Sequence, residues 1–165
     1  MSLTLTSSAF PSHGAVPIRY TCEAEDVSPA LAWSGAPELT RSFALIVDDP
    51  DAPDPAAPKR VYVHWVLYDM DPSATSLPEG VGAKDRPHGG RQGKNDGGGI
   101  GYMGPCPPIG RHRYFFKLYA LDAKLGDLGT ATKAEVEAAM QTHVLDVAEL
   151  VGTYQGKDGP AKPRR

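Results

Sequence analysis

Apolar residues along this chain come in short runs, each closed within a few positions by Gly, Pro, Asp or Ser. The runs at residues 3–5, 30–33, 43–47, 61–68 and 114–121 predict short strands, because β-branched and aromatic side chains are common in them and turn formers bound them. In Val61-Tyr62-Val63-His64-Trp65-Val66-Leu67-Tyr68 almost every residue is β-branched or aromatic. That pattern predicts a strand covered on both faces, with His64 in its middle. One segment has a different period. Thr132-Lys133-Ala134-Glu135 matches a capping box, and Val136, Ala139, Met140, His143 and Val144 follow at helical spacing, so a helix starts near Thr132. A last β segment is expected around residues 148–154, while residues 144–151 read equally as helix or strand.

Composition narrows the class. A length of 165 residues fits one domain with its own core, and 41% hydrophobic with 22% charged residues is ordinary for a soluble globular chain. Eighteen Gly and sixteen Pro place much of the backbone in turns and loops, since proline is excluded from helix interiors and central strands. The expected fold is therefore mainly β, over residues 1–155. The tail at 156–165 carries Lys157, Lys162, Arg164 and Arg165 among Gly and Pro, and is expected to be a flexible basic extension. A net charge of −3 and a pI near 5.9 provide no general attraction to nucleic acid or an anionic membrane. Residues 1–10 have neither a positive n-region nor an apolar h-region, and no eighteen apolar residues run together, so the expected location is cytoplasmic. Two cysteines, Cys22 and Cys106, are too few for a disulfide framework and are expected to be free thiols in a reducing compartment.

Three clusters could carry chemistry. Asp48-Asp49-Pro50-Asp51-Ala52-Pro53-Asp54-Pro55 follows the strand at 43–47, and its carboxylates repel one another unless donors or a cation offset them. It is not an EF-hand: counting from Asp49, Asp54 stands where Gly is needed and Arg60 where the bidentate Glu should be. His64 is the second candidate, although a histidine in an apolar strand is more often a hydrogen-bonded core residue than a ligand contact. The third is the run 101–114, in which Gly and Pro can bring backbone N–H groups close to a small ligand. Residues 71–108 are also far longer than a usual loop. Gly93-Lys94 is not the end of a P-loop, because His88 and Asn95 occupy the positions of the first glycine and the hydroxyl. The chain has no G-x-S-x-G elbow and no C-x-x-C pair.

Taken in order, Asp49-Pro50-Asp51-Ala52-Pro53, Val63-His64-Trp65-Val66-Leu67, Gly104-Pro105-Cys106-Pro107-Pro108 and Gly110-Arg111-His112-Arg113-Tyr114 resemble the phosphatidylethanolamine-binding protein family, also called the Raf kinase inhibitor protein-like family, in its bacterial and archaeal branch. The resemblance implies two antiparallel sheets in a Greek-key β-sandwich with one or two peripheral helices. It implies a pocket for a phosphate or other small anion formed by Asp49, His64, Gly104, Pro105, Cys106, His112 and Tyr114, with Asp51 supporting the loop. His64, His112, Tyr114 and the amides near Gly104 are the expected donors, and Asp49 is expected to orient an imidazole. Arg111 and Arg113 leave the strand opposite His112 and are expected to meet the acidic turn or solvent. The function implied is a non-enzymatic binding module for a phosphate-bearing small molecule or phospholipid headgroup. No cofactor or metal is expected. A protein partner such as a kinase and a homodimer are further expectations. The alternative class is a hydrolase using a metal or the histidines of the same pocket.

Overall fold

A computed structural model describes residues 2–156, so the basic tail from Lys157 onward lies outside the described residues. The strands are β1 (Thr4–Thr6), β2 (Gly14–Ala15), β3 (Leu31–Ser34), β4 (Ser42–Ala52), β5 (Arg60–Met70), β6 (Ser76–Leu77), β7 (Arg91–Gln92), β8 (Arg111–Leu121) and β9 (Val144–Gln155). Among the described residues a single α-helix, α1 (Lys133–Met140), lies between β8 and β9. A small sheet runs β1-β3-β6 and a large one β2-β9-β8-β4-β5-β7. The chain leaves β5 and comes back in β8 on the far side of β4, so the four long strands are adjacent out of sequence order. All pairs are antiparallel except β2 with β9, which run parallel over two residues and depart from the expected all-antiparallel sheets.

Burial on two faces explains β5. Trp65 and Leu67 point to an inner face and share a core with Leu5, Trp33 and Leu77 of the small sheet. Val66 and Tyr68 point outward and pack with Ile46, Val136 and Met140 beneath α1. A strand covered by a sheet on one side and a helix on the other is buried at every position, and residues 63–70 are apolar there except for His64 and for Asp69, which accepts from the Leu125 and Gly126 amides. The helix begins as predicted. Thr132 accepts from the Glu135 amide while the Glu135 carboxylate accepts from the Thr132 amide, a reciprocal cap that contributes about 1 kcal/mol.

The ambiguity at 144–151 resolves as strand. The helix ends at Met140, and Val144 already pairs with Leu121, because the β8 edge offers a continuous ladder of backbone partners to residues 144–155. The long segment 71–108 is not one loop. It contributes β6 to the edge of the small sheet and β7 to the edge of the large one.

One expectation is overturned here. Cys22 and Cys106 are not free thiols but form a disulfide with their Cα atoms 5.5 Å apart. Two cysteines 84 residues apart carry no sequence sign of proximity; the fold supplies it by laying the 20–26 segment against the 102–106 segment. The Cys22 amide donates to the Pro105 carbonyl, and Tyr102 Oη donates to the Tyr20 carbonyl, so the contact does not depend on sulfur alone.

Candidate functional site

The inner face of the large sheet is apolar at its centre and becomes polar toward one end. Along β4 the inward row runs Phe43, Leu45, Val47 and then Asp49; along β8 it runs Leu118, Phe116, Tyr114 and then His112. Period-two alternation alone puts these residues on one face. His64 arrives differently. Val47 pairs with Trp65 and Asp48 with Val63, so β5 has one extra residue against β4 and bulges at His64. The bulge lets His64 share the inner face with Trp65, a common way to redirect a side chain beside a site. The rings then cluster: His64 meets Tyr114 edge-on at 5.2 Å between centroids, and His112 lies parallel to Tyr114 at 6.3 Å.

Asp49, His64, His112 and Tyr114 line a cavity of about 350 Å³, together with Cys106, Pro107 and Pro108 from the Gly/Pro-rich run. Three segments remote in sequence thus meet in one concavity. Asp51, Gly104 and Pro105 do not line it. Asp51 faces Arg113, accepting from its amide at 2.9 Å, Nε at 3.0 Å and Nη2 at 2.9 Å. This guanidinium holds the Asp51 carboxyl below the usual carboxylate range. The expected pairing of Arg113 with the acidic turn is therefore present. Arg111 is exposed and donates to Thr153 Oγ1.

Gly104 does not offer its amide to the cavity as expected, because that N–H donates to Asp26 Oδ1 at 2.8 Å. A Cβ at Gly104 would collide with the Tyr20 carbonyl and Asp26, so glycine is needed for the close approach of the 20–26 segment. Desolvation raises the pKa of Asp26. Pro105 likewise serves the wall, through its carbonyl bond from Cys22.

The histidines are not equivalent. His112 is 1% exposed and uses both ring nitrogens: Nδ1 donates to Asp49 Oδ2 at 2.6 Å and Nε2 to the Ile109 carbonyl at 2.8 Å. Two acceptors demand two N–H groups, which is the imidazolium form. Burial opposes that charge, but the Asp49 bond and charge together with the Ile109 carbonyl outweigh it and hold the His112 pKa above its usual value. Asp49 Oδ1 meanwhile accepts from the Asp51 amide at 2.7 Å, so the carboxylate is fixed at both oxygens. His64 goes the other way. Burial lowers its pKa despite the Met103 carbonyl and nearby aspartates, so it is neutral. Its Nδ1 donates to the Met103 carbonyl at 2.6 Å, which leaves Nε2 unprotonated and an acceptor. His64 and His112 are thus not the paired anion donors that the motifs suggested.

One donor remains. Tyr114 Oη is the buried side-chain polar atom without a hydrogen-bond partner among the described residues. Burial, followed by the Asp49 charge, pushes its pKa far above the ordinary tyrosine value, so it keeps its proton. A buried hydroxyl left unpaired beside a cavity is costly unless a ligand or water completes it. Arg60 and Tyr62 also line the cavity and were not among the expected residues. The signal for them was present: Arg60, Tyr62 and His64 alternate on one strand and therefore share a face.

Comparison with known proteins gives the family. Residues 6–155 match the sequence profile described as phosphatidylethanolamine-binding protein. The chain belongs to the phosphatidylethanolamine-binding protein family. A protein designated UPF0098 from Methanothermobacter thermautotrophicus is 48% identical over 154 residues, covering 93% of this chain and 99% of that protein. The crystal structure of a phosphatidylethanolamine-binding protein homolog from Chlamydia trachomatis superposes with a TM-score of 0.86 at 38% identity, over 94% of this chain and 99% of that one. Escherichia coli YbcL, described as a new member of the mammalian family, gives 0.84 at 32% identity over 95% of this chain and 100% of that one. Among the described residues no helix is long and apolar enough to cross a membrane, and no three His, Cys, Asp or Glu side chains gather as metal donors.

Proposed function

We propose that this member of the family is a non-enzymatic module that holds a phosphate-bearing small molecule or phospholipid headgroup in the cavity bordered by Tyr114, His64 and His112. The observation that carries this reading is the unpaired, buried Tyr114 hydroxyl between the two histidine rings. It donates to a phosphate oxygen. Unprotonated His64 Nε2 accepts from a ligand that has its own hydrogen, such as a singly protonated phosphate or an ammonium group. The pairing of donor and acceptor favours a phosphate monoester as its monoanion, so affinity falls as pH rises through the ligand's second ionisation near pH ~6. A cavity of about 350 Å³ has room for roughly ten waters, more than inorganic phosphate alone needs, which points to an organic substituent.

A protein partner such as a kinase is the second half of the reading and rests on family membership. A cytoplasmic location belongs to the same proposal; there the Cys22–Cys106 bridge needs protection from cellular reductants. The hydrolase alternative is the weaker one. His112 has no free nitrogen to act as a base, and Cys106, tied up in the disulfide, is no nucleophile for the free His64 Nε2 to activate.

Tyr114→Phe separates ligand site from core. Isothermal titration with O-phosphoethanolamine should show affinity reduced about tenfold or more, since a hydrogen bond to a charged group is lost. Thermal stability should stay level or rise, because an unsatisfied buried hydroxyl is removed. Unchanged affinity together with lowered stability would return Tyr114 to the core and remove the proposal's main support.

A further inference from the structure

The cavity has a deficit of positive charge for an anion-binding site. Inside it, the Asp49 carboxylate and the His112 imidazolium cancel, His64 is neutral and Tyr114 keeps its proton. Among the residues that line it, the remaining cation is Arg60, on β5 at the mouth. Its guanidinium lies 4.9 Å above the Tyr62 ring, and its Nη2 is 3.4 Å from Asp96 Oδ2.

That pairing is loose and replaceable. The Arg60 side chain is 54% exposed and Asp96 34%, and an exposed ion pair of this length contributes little. Asp96 is not left stranded if Arg60 departs, because the same Oδ2 accepts from the Val63 amide at 2.8 Å. The Tyr62 ring, itself 5.1 Å from His64, carries the guanidinium on its face, and all three side chains line the cavity.

We infer that Arg60 is the anion-selecting residue of the cavity: it exchanges Asp96 for a charged oxygen of the incoming ligand, with Tyr62 as its platform and Asp96 as the internal competitor. The inference rests on the phosphate-ligand reading above and assigns the charge recognition that the interior lacks. A planar guanidinium can take two phosphate oxygens at once, so lysine should replace it only in part.

The test is isothermal titration of the full chain with O-phosphoethanolamine and with inorganic phosphate, for the wild type, Arg60→Gln, Arg60→Lys and Asp96→Asn. Arg60→Gln should weaken both probes about tenfold or more, Arg60→Lys should recover part of the loss, and Asp96→Asn should tighten binding by removing the competitor. Opposite signs at Arg60 and Asp96 are not expected from a structural role, and the thermal midpoint of Arg60→Gln should stay near that of the wild type because the side chain is exposed. If the wild type binds and Arg60→Gln binds equally well, Arg60 has no such role and the pocket reading stands. If the wild type binds neither probe, the pocket reading and this inference both fall.

Discussion

Asp48 and Asp49 are neighbours on one strand, equally buried at 2% and 3% exposure, yet their surroundings differ in every respect. Asp48 points to the outer face, where Lys133 at 2.8 Å and Lys117 at 3.3 Å donate to the same oxygen. Lys133 opens α1, so this ion cluster ties the helix to the sheet. Asp49 points to the inner face, where one oxygen takes an imidazole and the other the Asp51 amide. Flexible ammonium groups neutralise the first carboxylate; a buried ring that cannot move holds the second beside a cavity. The pair shows that one strand can carry a structural acid and a site acid side by side, and that the face decides which is which.

The largest effect should come from cutting the brace behind the inner face. Replacing Cys22 and Cys106 together by Ser removes a bridge that closes an 84-residue loop, with an expected loss of about 4 kcal/mol in urea denaturation. O-phosphoethanolamine binding should weaken with it, because Cys106 lines the cavity. Equal stability with and without the bridge would mean that the hydrogen bonds of Tyr102, Gly104 and Cys22 hold that wall unaided.

Asp48→Ala comes next. It leaves part-buried Lys117 without its carboxylate and Lys133 with the 4.0 Å contact to Glu137 in its place, and should cost about 3 kcal/mol while ligand affinity stays as it was. A drop in affinity would erase the distinction between the two aspartates.

Asp49→Asn should do the reverse, weakening ligand binding at a smaller stability cost of about 1–3 kcal/mol for the lost charged hydrogen bond. Its signature lies in the pH dependence. The raised pKa of folded His112 adds stability that is fully present below about pH 6.5 and is lost as pH rises through the folded value. The lowered pKa of His64 adds stability present above about pH 6.5 and lost as pH falls toward its folded value. Wild-type stability should therefore decline on both sides, and Asp49→Asn should flatten the alkaline decline while the acid one persists. Denaturation across pH 5–9 reads both limbs, and an undiminished alkaline limb would show that Asp49 does not hold His112 in its charged form.

Much of this architecture was legible in local pattern. The continuous apolar run at 61–68 announced a strand buried on both faces, and the Thr132–Glu135 box marked the helix start. Asp49, His64, His112 and Tyr114 were found because their motifs follow one another in the family's order. Roles within the site were less legible. Gly104 was expected to present an amide to the ligand and instead admits the 20–26 segment, because Asp26 lies 78 residues away and nothing local announces that contact. The donors assigned to both histidines were similarly misjudged, since the protons depend on the Met103 and Ile109 carbonyls that the folded chain brings to the rings. Arg60 could have been found by counting alternate positions back from His64.

By itself the sequence determined the strand pattern, the helix cap, the family and the motifs that hold Asp49, His64, His112 and Tyr114, because each depends on residues close together or on short motifs in order. Only the tertiary structure decided the Cys22–Cys106 bridge, the inward turn of His64 at its bulge, and which histidine is charged. Those depend on distances between segments remote along the chain, and a proton's free energy is set by the atoms that surround it in space.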